Sequence, residues 1–154
     1  MGPADLTFRA PTPLERAFNR VFGFFVGMGL APRDYYLLQV KGRKTGRVYA
    51  NPVSLVPFRG VRFLVAPRGR TQWVRNIEVS NDVVLKRGAS IGRCRLRALA
   101  DADKPPVLLA YLEKYRSVVQ RYFPVPAGSP PAAFAGIAAR YPVFEVIPGD
   151  PEAR

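Results

Sequence analysis

The 154-residue chain carries 24 Lys and Arg against 11 Asp and Glu, a formal net charge of +13, with no histidine and one cysteine. The missing histidine excludes Ser-His-Asp and Cys-His catalysis, and with a single cysteine it excludes the usual zinc sites and any internal disulfide. Such a positive excess points to an anionic partner: nucleic acid, a lipid headgroup surface or a phosphorylated small molecule.

Sixteen prolines and thirteen glycines predict short elements and many turns rather than a helical bundle. Residues 1–11 read as a flexible leader, 12–148 as one domain and 149–154 as a disordered tail. Thr12-Pro13-Leu14-Glu15 has the form of a capping box, with Leu14, Ala17, Phe18, Val21, Phe22 and Phe25 following at helical spacing. This predicts an N-terminal helix ending between Gly27 and Gly29. Its apolar face suits packing on the fold or on a second copy, with contact at a membrane surface through residues 12–30 as the other option. The apolar run Val21 to Leu30 is too short to span a bilayer, which takes about 20 residues. With no secretory signal visible and one cysteine, a cytoplasmic location is expected.

Strands are predicted at Tyr35 to Lys41, Val48 to Phe58 and Val61 to Ala66, joined by turns at Gly42 to Gly46 and Arg59-Gly60. Pro52 cannot donate to a ladder, which suggests a bulge or an edge within the second strand. Thr71 is the expected cap of a short helix reaching about Val79. Further strands are expected at Asn81 to Lys86, Arg93 to Ala100 and Tyr141 to Ile147. In Arg93-Cys94-Arg95-Leu96-Arg97 the alternation puts Cys94 and Leu96 in the core. Asp103 is the expected cap of a helix whose apolar stripe is Val107, Leu108, Tyr111, Leu112, Tyr115 and Val118. A short alanine-rich helix is expected from Ser129 to about Arg140. Together these read as α+β: a small split β-barrel of about six antiparallel strands. An N-terminal helix, a short helix after the third strand and C-terminal helices decorate it.

From Tyr35 to Ile77 the chain holds no acid, yet it holds Lys41, Arg43, Lys44, Arg47, Arg59, Arg62, Arg68, Arg70 and Arg75, nine of its 24 basic residues. Surfaces normally mix both signs. An acid-free block with tight turns points to a bound polyanion. Arg43 and Lys44 can pair with one, and the Thr45 and Gly46 amides can donate to it. No Gly-x-x-x-x-Gly-Lys precedes a helix, so this is not a Walker loop.

Five stretches occur in a telling order: Gly42-Arg43-Lys44-Thr45-Gly46, Asn51-Pro52-Val53, Ala66-Pro67-Arg68-Gly69, Trp73-Val74-Arg75-Asn76 and Tyr141-Pro142-Val143-Phe144. In that order and spacing the chain resembles the deazaflavin-dependent nitroreductase family of actinobacteria, from about Tyr35 to Ile147. The resemblance implies a flavin-reductase-type split barrel. It also implies coenzyme F-420, an 8-hydroxy-5-deazaflavin with a phosphate and a polyglutamate tail. Hydride would pass from the reduced coenzyme to a quinone, nitro or other activated, small hydrophobic acceptor.

On the same resemblance, Arg43, Lys44, Thr45, Gly46 and Arg47 would hold the anionic tail, and Asn51, Pro52 and Val53 would lie along the ring. Ala66, Pro67, Arg68 and Gly69 would edge the ring, and Trp73 and Asn76 would close the pocket. Trp73 as a plain core residue is an equally open reading. Family members commonly carry an arginine where this chain has Tyr49, a departure that bears on cofactor affinity. Tyr111, Tyr115, Tyr122 and Phe134 are candidates for the acceptor side, with core packing the better reading of Tyr111 and Tyr115. No catalytic residue is assigned and no metal is expected. A homodimer follows from the resemblance alone. The alternative is a basic barrel binding another anion without deazaflavin chemistry: flavin mononucleotide first, a membrane surface, or nucleic acid as the weakest of the three.

Overall fold

The computed structural model describes residues 35–149. The predicted leader, the capping box, the helix over 12–30 and the tail from residue 150 lie outside the described residues.

Six antiparallel strands close a barrel in the order β1-β2-β3-β6-β5-β4. They are β1 (Tyr35–Lys41), β2 (Val48–Phe58), β3 (Val61–Val65), β4 (Asp82–Arg87), β5 (Ser90–Ala98) and β6 (Val143–Pro148). Local chemistry sets the hairpins. Arg59 and Gly60 both have positive φ, 52° and 78°, the requirement of a two-residue turn whose twist matches its strands. Gly88, at φ 60°, opens the β4–β5 turn.

The eleven residues of β2 change partner midway. Val48 to Ser54 pair with β1, and Leu55 to Phe58 pair with β3. Pro52 sits opposite Leu37 in an unbroken register. The bulge suggested by the sequence is absent, and the edge alternative explains the proline. Within the described residues only β1 flanks β2 there, so one side needs no donor.

Helix α1 (Gln72–Val79) follows β3, with Thr71 in extended backbone at its N-cap position. Thr71 makes no capping hydrogen bond, and its buried hydroxyl has no partner among the described residues. The predicted cap is right in place but not in chemistry. Helix α2 (Pro105–Val119) starts one residue later than Asp103 implies. Asp101–Asp103 form a separate 3-10 turn, and Lys104 takes the cap position. Tyr115 interrupts α2 with φ −116° and ψ 20°. That break rotates the following turn, so Val119 is buried and Val118 is 53% exposed, reversing the predicted end of the stripe. The expected alanine-rich helix is instead two 3-10 turns, Pro131–Phe134 and Ala138–Arg140. Pro130, Pro131 and Gly136 in so short a stretch leave too few donors and too much backbone freedom for a full α-helix.

The core has two layers. Leu38, Val40, Leu64, Leu85, Leu96 and Phe144 fill the barrel. Cys94 is buried with them, and burial pushes its thiol pKa up. Outside the barrel, α2 lays Leu108, Tyr111, Leu112 and Tyr115 over Val56, Phe63 and Val65. No helix of the described residues is long and apolar enough to cross a membrane.

Candidate functional site

The turn between β1 and β2 is built before any ligand arrives. The Gly42 amide donates to the Arg47 carbonyl at 2.7 Å, and the Gly46 amide donates to the Gly42 carbonyl at 3.0 Å. The Gly46 donor offered by sequence is therefore already engaged within the turn. Gly46 has φ +73°, which an L side chain rarely adopts. Tyr49 folds back over the turn. A Cβ at Gly42 would lie 2.5 Å from the Tyr49 ring, so only glycine lets the ring settle there. The Tyr49 hydroxyl is 3.2 Å from Thr45 Oγ1, which accepts from the Arg47 amide at 3.2 Å.

Arg43 staples this turn to α1. Its amide and its Nη1 both donate to Asn76 Oδ1, at 3.0 and 2.8 Å, and its Nη2 donates to Gln72 Oε1 at 3.0 Å. Asn76 is 5% exposed, so its oxygen needs these partners. Sequence singled out Arg43 and Asn76 for two different tasks, and the structure joins them. It missed Gln72, although Gln72 and Asn76 stand four apart and so share a helix face. Lys44 and Arg47 are exposed and enter no ion pair among the described residues.

The other predicted residues sit farther out. Asn51 and Val53 alternate with Pro52, so the three divide between two faces of β2. Val53 is buried in the barrel core. Pro52 is half-buried and faces outward beside Leu37 and Lys86. Ala66, Pro67, Arg68 and Gly69 form the tight loop before α1. The Ala66 amide donates to the Pro142 carbonyl at 2.9 Å, the Gly69 amide donates to the Ala66 carbonyl at 3.1 Å, and Gly69 has φ +85°. This loop reaches the Arg43 turn through α1. Trp73 is half-buried against the barrel core, its ring 6.2 Å from that of Phe144.

The tyrosines proposed for the acceptor side are mostly structural. Tyr111 is buried and hydrogen-bonded to Ser54, and burial pushes its phenol well above the ordinary range. The Tyr115 hydroxyl donates to the Leu55 carbonyl, and Phe134 is fully buried. Tyr122 is half-buried, its hydroxyl accepting from Arg121 at 2.9 Å. Among the described residues no group of three or more His, Cys, Asp or Glu could hold a metal.

The site's chemistry can be stated from these parts. Two unpaired cations project from a rigid, acid-free turn. Beside it, β2 presents Val48, 68% exposed, Tyr49 and Ala50 to solvent. Cations next to an apolar strip suit a ligand with a charged tail and a flat body.

The sequence matches a family described as F420H(2)-dependent quinone reductase over residues 14–125. No curated protein sequence matches it. Among solved structures, it is similar to one described as F420-H2 dependent reductase (FDR-A), at 20% identity and a TM-score of 0.50 over 74% of this chain and 94% of that one. It is similar also to HutZ, the heme storage protein from Vibrio cholerae, at 12% identity and a TM-score of 0.54 over 90% and 92%. A third, described as a domain-swapped dimer, has 18% identity and a TM-score of 0.54 over 88% and 99%. At these identities the structures speak for the shared barrel.

Proposed function

The chain belongs to the F420H(2)-dependent quinone reductase family, and on that premise we propose how its own residues serve the coenzyme and which acceptors it reduces. It is an oxidoreductase, and its cofactor is coenzyme F-420. The reduced deazaflavin supplies the hydride. The protein supplies binding, orientation and exclusion of water.

Lys44 and Arg47 take the anionic tail. Both are exposed, and neither is committed to an acid. Arg43 has a different task from the one its sequence context suggests: with its guanidinium spent on Asn76 and Gln72, it holds the turn in place. Val48 and Pro52, with Leu37 opposite, give the flat body an apolar bed on β2. The loop Ala66–Gly69 and Trp73, at the start of α1, close the coenzyme site on the helix side. Tyr49 lies over Gly42 and narrows the turn. The acceptor is a quinone, a nitro compound or another activated small hydrophobic molecule, for which the protein need supply no acid or base.

The observation that carries this reading is the pairing of a pre-formed basic turn with free cations and an exposed apolar strand half. Fluorescence titration with oxidised coenzyme F-420, with flavin mononucleotide as competitor, tests it. Saturable binding that resists the flavin is expected, and Lys44→Ala/Arg47→Ala should abolish most of it. Equal competition by the flavin, or an affinity indifferent to both substitutions, would overturn the assignment.

A further inference from the structure

Helix α1 has a second face. Gln72 and Asn76 turn to the Arg43 loop. Val74 and Glu78 stand two positions on, roughly 200° round the helix at 100° per residue. They line a cavity of about 310 Å³, within the usual range of small-ligand sites. None of the residues assigned to the coenzyme lines it.

The cavity is amphipathic. Its floor is apolar: Val74, Val143 and Phe144 are each at most 4% exposed, with Leu99 and Pro142 half-buried beside them. Four charged side chains line it. Arg70 and Glu78 neutralise each other across 2.7 Å. The other two are Lys104 and Arg140. Lys104 is 6% exposed, a strongly buried ammonium. Its Nζ donates to Asp101 Oδ1 at 2.7 Å and to the Ala138 carbonyl at 3.2 Å. An ammonium has three N–H donors, so one is left over after these contacts. Arg140 is exposed and enters no ion pair among the described residues. Its planar fork matches a carboxylate.

We propose that this cavity is a second ligand site, separate from the coenzyme turn, that takes a small carboxylate with an aromatic or branched aliphatic body. The carboxylate lies between Lys104 and Arg140, and the body rests on Val74, Leu99 and Phe144. A bare phosphate would leave the apolar floor uncovered.

The test is a titration of the folded, isotope-labelled chain with benzoate, followed by amide chemical shifts, with benzyl alcohol and sodium chloride as controls. Benzoate should produce saturable shifts at Val74, Leu99 and Val143, and benzyl alcohol weaker ones. Arg140 is exposed, so Arg140→Gln keeps the fold, and it should weaken benzoate at least tenfold. Ala139→Trp, on the exposed rim, should block the site altogether. Shifts that never saturate, that centre on Lys44 and Arg47, or that persist in both variants would overturn the proposal.

Discussion

Strand β2 passes through two environments in eleven residues. Its second half is largely covered: Val56, 1% exposed, lies under α2, and Leu55, also 1% exposed, points into the barrel. Its first half lies open: Val48 is 68% and Tyr49 44% exposed. Hydrogen bonding is continuous through both, so the difference lies in what covers the outer face. Where α2 covers it, aromatic and aliphatic packing hold the fold. Where nothing among the described residues covers it, the same backbone is available to a ligand. Stability and binding are thereby assigned to different halves of one strand, and each substitution below tests that division.

The largest effect belongs to the covered half. Phe134 is fully buried, its ring edge-on to Phe123 at 6.2 Å. Phe134→Ala removes a ring the surroundings cannot replace and should cost about 3–5 kcal/mol, read as a lower urea midpoint. Coenzyme affinity of the folded fraction should not change. A large loss of affinity would return Phe134 to the acceptor side and erase the division.

The open half should behave in the opposite way. Lys44→Ala/Arg47→Ala should weaken the coenzyme at least about tenfold, equivalent to ~1.4 kcal/mol. The urea midpoint should hold or rise slightly, because removing like charges relieves repulsion. The wild-type affinity should fall with added salt, since exposed pairs are screened.

Most of this division can be read from sequence, and the exceptions share a cause. The strands follow from alternation and turn residues, and the acid-free block marks the open half without any coordinates. What stayed hidden depended on contacts between distant elements. Arg43 reads as a ligand contact because charge is visible in sequence and its partner 33 residues away is not. The break at Tyr115 is unmarked by Pro or Gly, yet it exchanges Val119 for Val118 in the core. Tyr115 donates its hydroxyl to the Leu55 carbonyl on β2, a tertiary contact that local propensity does not encode. The 3-10 turns over 131–140 were the exception that local chemistry could have given, since Pro130, Pro131 and Gly136 were in plain view.

Asn76 anchors the turn beside the open half to α1, and its substitution should show a smaller, mixed effect. Asn76→Ala leaves the Arg43 amide and Nη1 without their acceptor, while Nη2 keeps Gln72, at about 1–2 kcal/mol of stability, since water can reach part of the gap. The turn loosens, and coenzyme affinity should drop severalfold with no loss of charge. Unchanged affinity at reduced stability would mean that the turn needs no anchoring on α1 to bind.

The smallest effect is confined to alkaline solution and again separates the halves. Tyr111 is buried on the inner face of α2, its phenol pushed up by desolvation. In the unfolded chain that phenol ionises near pH 10, as ordinary tyrosine does. Above that pH the native state holds a proton that the unfolded state has released. Stability contributed by the neutral, buried phenol is therefore intact below about pH 10 and declines as pH rises further, by at most ~1.4 kcal/mol per pH unit for one group. Tyr35 and Tyr141 are shifted in the same direction by burial and add to the decline. Tyr111→Phe should be less stable at neutral pH through loss of the hydrogen bond to Ser54. Between about pH 9 and 11 it should lose less stability than the wild type, in urea midpoints taken across that range. Because the lysines and arginines are common to both proteins, the difference between the two curves isolates the one buried phenol. Parallel curves would mean that solvent reaches Tyr111, and that the covered half is not dry.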